Sequence, residues 1–198
     1  MARCYSFVTN CRKLCVMHID PDSGLLDTAR QRPSPNCDQR PPGCAIDLLV
    51  IHAISLPAGE FGGPWIDDLF TNCLDPAAHP DFADICGLRV SAHVLIRRDG
   101  GITQYVPFHH RAWHAGQSRH GGREHCNDFS IGIELEGCDE HPFEAIQYTR
   151  LAELARALFS VYPKLNPQRI TGHSDIAPGR KTDPGPHFDW QRLYRLLA

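Results

Sequence analysis

The sequence predicts an α/β fold, a central mixed β-sheet flanked by helices, and three stretches carry that prediction. Leu48, Leu49, Val50 and Ile51 form an unbroken apolar run rich in strand formers, the pattern of a strand buried on both faces. Two strand-like runs in RVSAHVLIRRDGGITQYVPF flank Asp99-Gly100-Gly101, a hairpin turn signal, so part of the sheet is antiparallel. In AIQYTRLAELARALFSVYP, Leu151, Leu154, Leu158 and Val161 recur at helical spacing, and Pro163 ends the repeat.

Taken in order, residues 1–46 read as an irregular lead-in. The first sixteen read as a disordered extension ahead of a single domain over 17–198. They hold no apolar segment of the roughly 7–15 residues that a secretory signal needs, because Asn10, Arg12 and Lys13 interrupt it. Pro33, Pro35, Pro41 and Pro42 lack backbone donors and fix φ, which predicts a chain lying extended across a surface rather than paired in a sheet. DLLVIHAIS, residues 47–55, is the central strand, with His52 toward its C-terminal end. LPAGEFGGP follows as a loop, PWIDDLFTNCL as a short helix, and DPAAHPDFADICG as an irregular connection. Within the hairpin, Val90, Ala92, Val94 and Ile96 alternate with Ser91, His93 and Leu95. Residues 107–128 are crowded with histidine and glycine and show no periodicity; a loop of that length inside a compact domain is often functional. FSIGIELEG returns to strand pattern, with Ile131, Ile133 and Leu135 on one face and Gly132, Glu134 and Glu136 on the other. RITGHSDIA is a short strand entering a last loop, and FDWQRLYRLLA closes the chain as a helix.

Length and composition bound the function. A chain of 198 residues buries a substantial core as one domain. Net charge is -3 with no cluster of Lys and Arg, which argues against a nucleic-acid partner. No stretch approaches the roughly 18 apolar residues of a membrane span. Nine cysteines, at 4, 11, 15, 37, 44, 73, 86, 126 and 138, include no CxxC pair, so neither a zinc ribbon nor a thioredoxin motif is supported. They are expected to be reduced thiols of a cytoplasmic protein, since a disulfide framework suits a smaller secreted chain.

The candidate chemistry lies in His52, Glu134, His173, Lys181 and Asp183. Two imidazoles and a carboxylate can hold Zn²⁺ with a fourth position left for water, the open arrangement of catalytic zinc. A second carboxylate can take a proton, and a lysine can face developing negative charge. Spacing alone selects no triplet, because twelve histidines and twenty-three acids offer many. Each residue also has a plainer reading. His52 could be a core histidine bonded to backbone. His173 and Asp183 could be solvated loop residues, although Pro178, Gly179, Pro184 and Gly185 bend the chain enough to bring them to one ion. Glu134 competes with Glu136 on the same strand face, and Lys181 with its neighbour Arg180.

The stretches LLVIHAISLP, GEFGGPWID, RVSAHVLIRRDG, RAWHAG, CNDFSIGIELEG, GHSDIAPGRKTDPGP and FDW recur in the order seen in a known family. The chain resembles the zinc amidase family 2 that is related to peptidoglycan recognition proteins, over roughly residues 17 to 196. The resemblance implies the fold above with a Zn²⁺ site over strand ends and loops. It implies that His52, His173 and Asp183 are the metal ligands, Glu134 the general base and Lys181 the oxyanion stabiliser. The implied reaction is hydrolysis of the lactyl-amide bond between 1,6-anhydro-N-acetylmuramic acid and L-alanine of muropeptides, in cytosolic cell-wall recycling. That role would indirectly lower muropeptides that signal β-lactamase induction. A monomer acting on a small anhydro-muropeptide, with no nucleic-acid or membrane partner, is expected.

Trp113 becomes a candidate platform for a sugar face, Arg89 and Asn127 candidate contacts to substrate carboxylates or amides, and His93 and His114 candidates to support or line the site. Two departures stand out: Ala53 follows His52 where the family commonly has Asn, and Gly179 precedes Arg180 where a glutamate is usual. The rival readings are a broad-specificity amidase acting on intact peptidoglycan and a non-catalytic peptidoglycan-binding module. The latter is disfavoured by retention of all five central residues.

Overall fold

The computed structural model describes residues 17–198, so the extension expected at 1–16 lies outside the described residues. In chain order the elements are β1 (Arg30–Gln31), β2 (Cys37–Asp38), β3 (Leu48–Ile54), α1 (Trp65–Phe70), β4 (Val94–Ile96), β5 (Ile102–Gln104), β6 (Arg111–Ala112), β7 (Arg119–His120), β8 (Arg123–Glu124), β9 (Ser130–Glu136), α2 (Ala145–Val161), β10 (Ile170–Gly172), α3 (His173–Ile176) and α4 (Trp190–Leu197). Six strands form the main sheet in the order β1-β5-β4-β9-β3-β10. The β4–β5 hairpin is antiparallel and the other pairs are parallel, so the sheet is mixed.

β3 and β9 lie at the centre, and every residue of β9 is buried. Their odd-numbered residues Leu49, Ile51, Ile131, Ile133 and Leu135 pack with Leu151, Leu154 and Leu158 of α2, Leu193 of α4, and Met17, Ile19 and Leu26. Each fully buried Leu or Ile contributes about 1.5–3 kcal/mol. Gln147 of α2 ties this helix to the sheet. Its amide donates to the carbonyls of Ile96 and Glu136, and its side-chain oxygen accepts the Glu144 N–H at the helix start.

The opposite face is covered by loops and short elements. Leu48 and Val50 meet Ala115, Cys126, Phe129 and Ile176, while Leu95 packs with Ile66, Leu69 and Phe70 around α1. Strand alternation places His52 and Glu134 on this loop-covered face.

Two expectations need correction. The proline-rich lead-in does pair: β1 runs beside β5, and β2 pairs antiparallel with β6. The backbone donors of Arg32 and Ser34 reach the carbonyls of Gln104 and Tyr105, with Pro33 between them at the position where an edge strand's N–H would face away from its partner. Residues 107–128, read as one loop, contain β6 and the small β7–β8 hairpin. Two-residue strands are too short to leave an alternation in the sequence.

Candidate active site

Register builds the first half of the site. β3 and β9 run parallel with His52 directly opposite Glu134, and Leu95 of β4 flanks Glu134 on its other side. The second half comes from the β10–α3 corner. His173 follows β10 directly, and the Ser174 N–H donates to the Asp183 carbonyl at 2.9 Å, closing the loop that returns Asp183 to the corner. Gly179 in this loop has φ +76, a left-handed conformation that suits glycine. Arg180 and Lys181 both donate backbone N–H groups to the Ala177 carbonyl, so the turn presenting Lys181 is defined.

Three donor atoms converge. His52 Nδ1 lies 3.0 Å from His173 Nδ1 and 3.1 Å from Asp183 Oδ2, and His173 Nδ1 lies 3.0 Å from the same oxygen. The three fit a cation. His173 Nε2 faces the Ala115 carbonyl at 3.3 Å, and a carbonyl can only accept. A neutral His173 therefore carries its proton on Nε2 and aims a bare Nδ1 at the Asp183 oxygen. Such converging lone pairs repel one another unless a positive charge lies among them. Two imidazoles and one carboxylate at this spacing suit an ion with bonds of about 2.0–2.1 Å.

The electrostatics follow burial and partners. Burial pushes His52 down to about 4 and holds His114 well below the usual histidine range, so both rings are neutral. Glu134 goes the other way. Burial holds it well above the usual carboxylate range, the Asp183 charge adds to the rise, and the Lys181 ammonium opposes it. Glu134 Oε2 is buried with no hydrogen-bond partner.

His52, His173, Asp183, Glu134 and Lys181 share one cavity of about 210 Å³, with Leu69, Phe70, Val90 and Trp113 among its apolar walls. Trp113 is thus where a sugar platform would need to be. Arg89 is not brought in. It is exposed, and its guanidinium rests on Asn72 and the carbonyls of Gly87 and Leu88. Asn127 is not brought in either: its side-chain oxygen accepts the backbone N–H groups of His114 and Ala115 at 3.1 and 2.8 Å.

Glu136, the rival carboxylate, is fully engaged. It accepts from Gly62 N–H at 2.7 Å, Arg97 Nη1 at 2.9 Å and Arg98 N–H at 3.2 Å. A larger cavity of about 710 Å³ lies beside this cluster, away from the converging donors. Among its lining groups Arg30 pairs with Asp67 and Arg97 with Glu136, while His52, His173 and Asp183 line the smaller cavity instead.

His114 lines the smaller cavity, and His93 lies behind it against β9. His114 packs so closely on β9 that a Cβ at Gly132 would run into its ring, which makes glycine the residue that fits there. His93 Nδ1 accepts the Gly132 N–H at 3.0 Å. Arg40 was missed by sequence reasoning. Its guanidinium donates to the carbonyls of Phe108, Asn127, Asp128 and Ser130 and knits the histidine-rich loop to β9. A lone arginine in a proline-rich stretch carries no local signal of such a role.

A buried His-His-Asp cluster able to hold a metal ion, beside an unpartnered carboxylate and with a lysine at the rim, has the parts that a hydrolase uses. Comparison with known proteins specifies the class. Residues 41–186 match the N-acetylmuramoyl-L-alanine amidase family model. The chain is 61% identical over 178 residues to 1,6-anhydro-N-acetylmuramyl-L-alanine amidase AmpD of Salmonella typhimurium (strain SL1344), covering 90% of this chain and 95% of that protein. A crystal structure of a Se-Met AmpD derivative superposes with a TM-score of 0.87 at 60% identity, covering 89% of this chain and 98% of that one. A complex of the N-acetylmuramyl-L-alanine amidase AmiD from E. coli with anhydro-N-acetylmuramic acid-L-Ala-D-gamma-Glu-L-Lys superposes with a TM-score of 0.56 at 32% identity, covering 80% and 60% of the two chains. The chain belongs to the N-acetylmuramoyl-L-alanine amidase family and is an amidase.

Among the described residues no helix is long and apolar enough to cross a membrane. The six described cysteines, Cys37, Cys44, Cys73, Cys86, Cys126 and Cys138, are all free.

Proposed function

We propose that the protein is a zinc-dependent hydrolase of the lactyl-amide bond between 1,6-anhydro-N-acetylmuramic acid and L-alanine, acting on soluble muropeptides in cytoplasmic cell-wall recycling. The catalytic unit is residues 17–198, working as a monomer. The observation that carries the reading is the convergence of His52, His173 and Asp183 within 3.0–3.1 Å of one another, beside a glutamate with a free buried oxygen. The relative at 61% identity bears the name of this activity, and the E. coli AmiD complex holds an anhydro-muramyl peptide.

His52, His173 and Asp183 would hold the ion, which when bound supplies Lewis acidity toward water and the amide oxygen. Glu134 takes the proton of the attacking water through its unpartnered oxygen. Its raised affinity for protons suits that task, and the Lys181 ammonium pulls in the opposite sense. Lys181, at the rim of the cavity, faces the amide oxygen as it gains charge. Glu134 then returns the proton to the alanine nitrogen as the C–N bond breaks, releasing a lactyl carboxylate and a free amine. Trp113 offers its ring to the apolar face of the sugar.

The test is mass spectrometry of products from an anhydro-muropeptide and from intact sacculi, with and without chelator. Chelator-sensitive release of the stem peptide from the soluble substrate is expected. Faster release from sacculi would favour the broad-specificity alternative, and no cleavage of either would overturn the reading.

A further inference from the structure

Beyond the ligands and the catalytic pair, a chain of hydrogen bonds leaves His52 on the side away from the converging donors. His52 Nε2 lies 3.0 Å from His114 Nδ1, His114 Nε2 lies 3.1 Å from Ser130 Oγ, and Ser130 Oγ lies 2.5 Å from the Cys126 carbonyl. The polarity of this chain is set at its far end. A carbonyl only accepts, so the Ser130 hydroxyl donates to Cys126 and its oxygen receives the proton of His114 Nε2. A neutral His114 protonated at Nε2 has a bare Nδ1, which accepts from His52 Nε2–H. His52 is then left with a lone pair on Nδ1, the atom that faces His173 and Asp183.

The neighbouring residue does the same for the other imidazole, since the Ala115 carbonyl accepts from His173 Nε2 at 3.3 Å. Both backbone N–H groups of this dipeptide are held by the Asn127 side-chain oxygen. One clamped dipeptide thus orients both histidine ligands.

We infer that His114 is a positioning residue for metal binding: through its Nδ1 it fixes the tautomer and ring angle of His52, with Ser130 and Asn127 holding it in place. The inference rests on the ligand assignment proposed above. Partners of this kind are worth roughly 10–100-fold in metal affinity.

The experiment measures Zn²⁺ affinity of the full-length protein by competition with a chromogenic chelator, alongside near-UV circular dichroism of the metal-free form. His114→Leu, which keeps the size and removes the acceptor, should bind Zn²⁺ about 10–100-fold more weakly with the metal-free spectrum unchanged. His114→Asn, whose Oδ1 can occupy the place of Nδ1, should recover most of that loss. Equal affinity in both variants would overturn the inference. Should the leucine variant not fold, long-range ¹H–¹⁵N spectra of the zinc-loaded wild type decide. A His114 proton on Nε2 supports the assignment, and one on Nδ1 overturns it. A wild-type chain that takes up no Zn²⁺ would instead overturn the ligand reading beneath it, so the two failures are distinguishable.

Discussion

Glu134 and Glu136 sit two residues apart on the same face of β9, 9% and 2% exposed, and are treated oppositely by their surroundings. Glu136 receives two backbone N–H groups and the Arg97 guanidinium. Glu134 keeps a buried oxygen with no partner and is held well above the usual carboxylate range by burial. Leaving a buried polar group unpaired costs about 1–3 kcal/mol, more if it is charged, so a fold tolerates it where something else requires it. The satisfied carboxylate is a structural tie between the Gly62 loop and the turn after β4. The unsatisfied one faces the cavity that holds His52, His173, Asp183 and Lys181. A buried carboxylate without partners is therefore the better candidate for function than a buried, satisfied one.

The widest break in this comparison is to remove what Glu134 serves. Asp183→Ala should abolish both bound Zn²⁺ and turnover, since two imidazoles alone hold the ion poorly. Stoichiometric zinc by elemental analysis, with normal activity, would remove Asp183 from the ligand set. Next, Glu134→Gln should retain zinc and lose roughly 10²–10⁴-fold in kcat, the usual worth of a positioned acid–base group. Its Tm should not fall, because an unpaired buried charge is replaced by a neutral amide. A fall in Tm with kcat intact would mean Glu134 has been misread as the active carboxylate.

Lys181→Met should lower kcat by roughly 10²–10³-fold, as for loss of one oxyanion donor, with KM little changed. An effect confined to KM would make Lys181 a binding residue. The smallest kinetic effect belongs to Glu136→Gln, which should change kcat less than about tenfold. Its cost falls on stability instead. Removing one partner of a buried ion pair costs about 3 kcal/mol, and Tm should drop by roughly 6–12 °C in a chain of this size. If the two glutamine variants exchange these phenotypes, the comparison of carboxylates is inverted.

Much of the frame was legible locally. The apolar run at Leu48–Ile51, the Asp99-Gly100-Gly101 turn and the leucine repeat of α2 each report their own backbone, because period and turn chemistry act over a few residues. His52 and Glu134 lay on well-patterned strands, so their faces could be read. The choice of Glu134 over Glu136 came only from the family motif, since the groups that distinguish them, Gly62, Arg97 and Arg98, lie 38 to 74 residues away. Asn127 was read as a substrate contact for a similar reason: its amide is spent on backbone donors 12 and 13 positions back.

By itself, then, the sequence determined the α/β class, the central strands, the long helix and the short list of residues able to do hydrolytic chemistry. These depend on periodicity, turn residues and side-chain type, which are properties of short windows of chain. Tertiary structure decided the parallel register that sets His52 beside Glu134 and the corner that returns Asp183 to His173. It also decided the pairing of the proline-rich lead-in and the hydrogen-bond chain through His114 that leaves a bare nitrogen on His52. Those depend on which distant groups meet once the two faces of the sheet are buried, and hydrogen-bond partners are assigned only then.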